Sequence, residues 1–219
     1  MSTFDAVLWD LDGTLVDTEP LWMGGENALA AEYGAPWTHE DGLNLVGRGL
    51  LESGAYIRDR MGLPLAPSAI VERLVQHVLQ ALRKNIPWRK GALELLSALH
   101  DAGTPMALVT MSYRPIADVV AQAAGTFDVV ITGDEASRPK PFPDPYLEAV
   151  AALGVAAERC VAIEDSQTGA TSALSAGCRT VVVQGYATVP QGLGHARWST
   201  LSERGIADLE AAASAVLTP

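Results

Sequence analysis

Two aspartates, Asp10 and Asp12, close an apolar run, Ala6–Trp9, and are followed by Gly13 and Thr14. A short run that is apolar almost without alternation has the pattern of a parallel strand buried on both faces. Carboxylates at the end of such a strand are costly unless a cation or hydrogen-bond donors compensate them. The pattern recurs. Met106–Val109 is followed by Thr110, Met111 and Ser112, and Cys160–Ile163 by Glu164 and Asp165. Between them lies RPKPFPDPY, residues 138–146, which carries Lys140. In open parallel sheets the strand ends meet ligand, so carboxylates, hydroxyls and one ammonium would gather at one edge. Those groups suit phosphoryl transfer. Hard oxygen ligands are what Mg²⁺ prefers, usually together with substrate phosphate. Asp10 can attack phosphorus, and Asp12, two residues along an extended chain and so on the same side, can serve as general acid and base. Thr110 and the backbone N–H groups after it suit phosphate oxygens, and Lys140 can neutralise charge in the transition state. Taken singly, the acids could be strand-end caps, Thr110 and Ser112 turn residues, and Lys140 a solvated lysine. Their joint occurrence at successive strand ends favours a site.

The elements that would position these groups follow from periodicity. Five apolar runs read as strands: Ala6–Trp9, Met106–Val109, Asp128–Ile131, Cys160–Ile163 and Thr180–Val183. Residues 91–102, 115–124, 145–153 and 167–176 have helical spacing, with Gly103, Gly154 and Gly177 as stop signals. Asp144-Pro145 reads as an N-cap with proline at the first helical position, without a catalytic role. Strand–helix alternation predicts a doubly wound, Rossmann-like α/β core. Residues from about 17 to 87 break the rhythm. Thr18-Glu19-Pro20 makes a first helical turn, and 21–33 and 68–85 are amphipathic. About seventy residues are too many for a loop in a compact domain, so an all-helical insertion is expected. The Ala-rich stretch at 207–217 reads as a final helix.

Bulk properties narrow the function. The 219 residues carry a formal net charge of -11, so there is no basic footprint for nucleic acid or anionic lipid. No run is long enough to span a bilayer, and the N-terminus has neither a charged region nor an apolar stretch of the signal-peptide kind. Cys160 and Cys178 lie in apolar surroundings without C-x-x-C spacing, as small core residues of a reducing compartment do. The four histidines are scattered, which argues against zinc. The expectation is a cytoplasmic monomer with a small-molecule partner, and neither nucleic acid nor membrane.

Together the motifs resemble the haloacid dehalogenase superfamily. DLDGT at 10–14 is similar to its first motif, Thr110 at a strand end to the second, Lys140 in RPKP to the third, and Glu164-Asp165 in IEDSQTGA to the fourth. The helical insertion resembles the family's cap, a lid over the site, giving a core unit of 1–17 and 88–219 and a cap of 18–87. The resemblance implies that Asp10 forms an aspartyl-phosphate, while Asp12 protonates the leaving group and then activates water. It implies that Thr110, Met111 (through its backbone N–H) and Lys140 bind phosphate, and that Asp10, the Asp12 carbonyl and Asp165 hold Mg²⁺. Glu164 is either a further ligand or a neighbour of the ligands. Asp12, two after the nucleophile, implies phosphate-ester chemistry. The phrase IEDSQTGATSALSAG is most similar to the branch of β-phosphoglucomutases and sugar-phosphate and phosphoglycolate phosphatases. Those mutases carry a histidine where Trp22 stands, which favours a phosphatase of small phosphorylated metabolites over a phosphosugar mutase. Trp22, Glu26 and Arg48 are cap candidates for substrate contact. A phospho-accepting signalling module also combines acids, Thr/Ser and Lys on a doubly wound sheet, but its acidic pair precedes the acceptor and no such insertion follows its first strand.

Overall fold

A computed structural model describes residues 3–217; the outermost bounds of the expected core unit, 1 and 219, lie outside the described residues. Six parallel strands form one sheet in the order β3-β2-β1-β4-β5-β6. They are β1 Ala6–Trp9, β2 Met106–Val109, β3 Val129–Ile131, β4 Cys160–Glu164, β5 Arg179–Val183 and β6 Ala196–Trp198. The order reverses between β1 and β4, the switch point at which such sheets bind ligand. β1 and β2, like β4, are buried throughout, as uninterrupted apolar runs require. β6 is absent from the sequence expectation. It has three residues, one of them the exposed Arg197, and an edge strand this short carries no apolar run to read.

Alternation sorts the strands' side chains between two cores. Val7, Trp9, Met106, Leu108, Val161 and Ile163 face one cluster with helices α5 (Ala92–Asp101), α6 (Arg114–Ala124) and α9 (Ile206–Ser214). Ala6, Leu8, Ala107, Val109, Cys160 and Ala162 face the other with α7 (Asp144–Leu153) and α8 (Gln167–Ser175). Both cysteines are free and buried. Helix α7 corrects the expected capping: Pro143 is the N-cap and Asp144 already lies in the first turn. There the Asp144 carboxylate accepts both hydrogen bonds of the Arg138 guanidinium at 2.8 Å and favours the helix dipole, so it has no need to cap.

Between β1 and α5 come four helices: α1 Glu19–Tyr33, α2 His39–Leu43, α3 Leu50–Met61 and α4 Pro67–Leu82. Ile70, Leu74, Val78 and Leu82 recur on one buried face of α4, which packs against α1, α3 and α6. Asp41 ties α2 to α3 by accepting hydrogen bonds from Tyr56 and Arg60. The helical bundle touches the core where the Thr168 hydroxyl donates to the Gly47 carbonyl at 2.6 Å. Among the described residues, no helix is long and apolar enough to cross a membrane.

Candidate active site

Strand register brings the acids together. Trp9 pairs with Ile163 on one side and with Leu108 on the other. The residues that follow, Asp10, Glu164 and Val109-Thr110, therefore leave the sheet at one level. The Asp10 N–H still donates to the Ile163 carbonyl at 3.0 Å, so the backbone beneath the carboxylate is fixed by the sheet. Asp10 is 6% exposed and Glu164 and Thr110 are fully buried.

Lys140 reaches this point from the loop before α7. Its ammonium donates to Asp10 Oδ1 at 2.8 Å, to the Val109 carbonyl at 2.9 Å and to Glu164 Oε1 at 2.6 Å. Those three bonds use all its donors. Glu164 in turn accepts from the Tyr146 hydroxyl at Oε1 and from the Ser166 hydroxyl at Oε2. Both Glu164 oxygens are thus engaged in holding Lys140 against Asp10. Tyr146, which sequence reading placed only as part of a helix, is driven by burial and by the Glu164 charge to keep its proton. Burial would lower the Lys140 pKa, but the Asp10 and Glu164 charges outweigh it and raise it.

Asp12 is held differently, by four donors from two directions. Thr18 Oγ1 at 2.7 Å and Trp22 Nε1 at 3.0 Å donate to Oδ1. Ser112 Oγ at 2.7 Å and Thr110 Oγ1 at 3.2 Å donate to Oδ2. Thr18 and Trp22 belong to the start of α1, so the carboxylate bridges the helical bundle and the sheet edge. The sequence places Ser112 at the sheet edge and Thr18 in a first helical turn but does not reveal their bonds to Asp12, because nothing local shows a hydroxyl aimed at a carboxylate 100 residues away or six residues earlier in the chain. No described group accepts the N–H groups of Leu11, Asp12 or Met111, which leaves a crescent of free donors beside Asp10.

Asp165 sits in a slot made by two glycines. A Cβ on either Gly13 or Gly185 would come within 2.1 Å of its Oδ2. Gly13 also adopts φ +78°, which a side chain disfavours. Asp10, Glu164 and Asp165 each offer a carboxylate oxygen, all within 4.8 Å of one another and all buried. Burial first, and the Glu164 charge second, push Asp10 up to about 7 against the pull of Lys140. Burial and the Asp10 charge hold Asp165 well above the usual carboxylate range. One ammonium does not balance this many acids, so the donor set fits a small divalent cation with oxygen ligands. The Asp12 carbonyl accepts none of the turn's bonds, which go to Leu11 and Val16, and so it is available as a further oxygen.

A cavity opens above these groups. Asp10, Asp12, Met111, Lys140 and Asp165 form its floor, and Glu19, Trp22, Glu26 and Arg48 stand in the wall made by the helical bundle, with Leu45, Val71 and Leu74. All three residues singled out in the cap by sequence (Trp22, Glu26 and Arg48) therefore face the same space as the motif residues. Burial pushes Glu26 up to about 7, opposed only by its hydrogen bond from Trp37. An acid shifted this way binds more protons folded than unfolded between its ordinary 4.5 and about 7, so stability falls as pH rises through that window. Glu26→Gln is expected to raise stability at pH 8 by up to about 3 kcal/mol and to change it little at pH 4. Thermal melts at the two pH values check this, and an equal gain at both would contradict it.

The sequence profile described as haloacid dehalogenase-like hydrolase matches residues 7–183. The chain is 35% identical over 188 residues to hexitol phosphatase A of Escherichia coli K12, covering 84% of this chain and 85% of that one. It is 29% identical over 194 residues to a phosphorylated carbohydrates phosphatase of Thermotoga maritima, covering 81% and 83% of the two chains. Its fold superposes with a TM-score of 0.84 on CbbY from Rhodobacter sphaeroides in complex with xylulose-1,5-bisphosphate, at 28% identity, covering 94% of this chain and 99% of that one.

Proposed function

The chain belongs to the haloacid dehalogenase-like hydrolases, and from that premise we propose that it is a Mg²⁺-dependent phosphatase of small sugar or polyol phosphates working through an aspartyl-phosphate on Asp10. The observation that carries this reading is the pairing of a buried Asp10, fixed by Lys140, with an Asp12 held beside it under the cap. Asp10 Oδ2 is the oxygen left free for attack on phosphorus, since Lys140 occupies Oδ1. The free N–H groups of Leu11, Asp12 and Met111 receive the phosphoryl oxygens, while Thr110, expected to bind phosphate, is buried outside the cavity lining with its hydroxyl donating to Asp12 and so acts by positioning that acid. Lys140, already against Asp10, offsets the negative charge brought by the phosphate. Asp12 gives a proton to the departing alkoxide and then takes one from water, so that the bond from phosphorus to Asp10 is broken and the carboxylate is restored. Asp10, Asp165 and the Asp12 carbonyl would hold Mg²⁺, which would supply positive charge against the phosphoryl oxygens, while Glu164 orients Lys140.

Residues 18–87 act as the cap and 1–17 with 88–219 as the catalytic core. Thr18, the first residue of the cap, donates to Asp12, so cap seating and the placing of the acid–base group are one event. The chain is proposed to act as a monomer, and the two free, buried thiols suit a reducing cytoplasm. Two of the relatives are named for hexitol and carbohydrate phosphates, and this supports the same class of substrate here. The test is phosphate release from a panel of sugar and polyol phosphates. With Mg²⁺, release without an isomerised sugar phosphate is expected, falling at least about 100-fold when a chelator removes the metal. Isomerisation exceeding release would replace the phosphatase with a mutase.

A further inference from the structure

Helix α1 places Glu19, Trp22 and Glu26 on one face, at spacings of three and seven residues. The first two of these lie over Asp12. Glu26 stands one turn farther up, where the part of a substrate beyond the phosphoryl group must lie. We propose that Glu26 is a specificity-determining residue that hydrogen-bonds hydroxyl groups of the leaving group, making polyhydroxylated, uncharged leaving groups the preferred class. This rests on the phosphatase reading above and deepens it.

Glu26 is 3% exposed yet borders the cavity. Its Oε2 is pinned, accepting a hydrogen bond from Trp37 Nε1 at 3.3 Å. Gly42 makes room for that oxygen, because a Cβ there would come within 3.0 Å of it. The other oxygen, Oε1, accepts no hydrogen bond from any described residue. Among the described residues, no cation pairs with Glu26. Arg48 borders the same cavity, but its guanidinium donates to Glu52 at 3.3 Å and lies 5.6 Å from the centre of the Tyr56 ring. A carboxyl held rigidly at one oxygen and unpartnered at the other is costly to bury, and an apolar residue would serve the packing of α1 better. A substrate hydroxyl completes it, donating to the free oxygen of the carboxylate. An anionic leaving group gains nothing from Glu19 and Glu26, whose carboxyl oxygens offer it no positive partner on the wall it must approach.

The experiment compares three monophosphates: an open-chain hexitol phosphate, hexyl phosphate of the same chain length, and phosphoglycolate. Wild type, Glu26→Leu and Glu26→Gln are assayed with Mg²⁺, and thermal melts confirm folding. In wild type, kcat/KM is expected to favour the hexitol phosphate over both of the others. In Glu26→Leu the hexitol-to-hexyl ratio is expected to fall by about 10-fold, the value of one hydrogen bond. Glu26→Gln, which keeps an acceptor, should retain most of that ratio. A purely structural role would lower both rates together and leave the ratio intact, which would overturn the assignment, as would a wild-type preference for phosphoglycolate. If wild type released phosphate from none of the three nor from an aryl phosphate, the hydrolase reading itself would fall, and this inference with it.

Discussion

Asp10→Asn is expected to lower phosphate release about 10⁴-fold or more while leaving the protein folded. Asn matches Asp in shape and can still face Lys140, so the sheet edge is preserved. What it lacks is a negative oxygen able to attack phosphorus. Were Asp10 only a metal ligand or a strand-end cap, the neighbouring Asp165 and Glu164 would keep part of the site working, and the loss would be far smaller. Steady-state rates of both proteins at saturating Mg²⁺, with melting curves to show equal folding, decide between these outcomes. The comparison should include an aryl phosphate, whose leaving group needs no proton, so that a fault in Asp12 is not mistaken for one in Asp10.

The second large effect belongs to Lys140. Its ammonium is 5% exposed at the level of the residue and bonds two carboxylates and a carbonyl. Lys140→Met keeps most of the apolar stem and removes the charge. Breaking a buried ion pair from one side typically costs about 3–5 kcal/mol, and here two acids lose their partner at once. Activity should fall as well, by about 10²- to 10³-fold, the loss usual for one electrostatic donor in an active site. Urea melts and kinetics on the same preparation check both. A Lys140→Met protein of unchanged stability would mean that Asp10 and Glu164 are compensated by something other than this lysine.

The motif residues were legible in the sequence because each follows an apolar run that stops abruptly. Asp10, Thr110 and Glu164-Asp165 end strands read from those runs, and the structure's register brings them to one edge. Lys140 was legible only through its motif, and its three-way grip on Asp10, Val109 and Glu164 was not. Glu164 illustrates the limit. Alternation places it at the edge, but only the positions of Tyr146 and Ser166 show that both its oxygens are spoken for. In the helical bundle, the turn of α1 about its own axis decides whether Glu26 meets water or the cavity. The weak amphipathic pattern of EPLWMGGENALAAEY does not fix that angle, and Trp37 and Gly42, which hold the carboxyl, lie outside the helix. β6 escaped for a simpler reason: it is three residues long and partly polar.

On the proposed mechanism, Asp10 carries the phosphoryl group during turnover. Asp12→Asn keeps the nucleophile but loses the base that activates water, so an aryl phosphate should load Asp10 faster than water can unload it. The direct measurement is a rapid quench of this variant into denaturant, reduction of acyl phosphate with borohydride, and mass spectrometry of the peptide spanning residues 6–16. Conversion of Asp10 to homoserine, dependent on substrate and on Mg²⁺, is expected, together with a burst of aryl alcohol equal to the enzyme present. Unmodified Asp10 with no burst, in a preparation whose wild-type counterpart turns over the same substrate, would contradict it and leave direct attack by water.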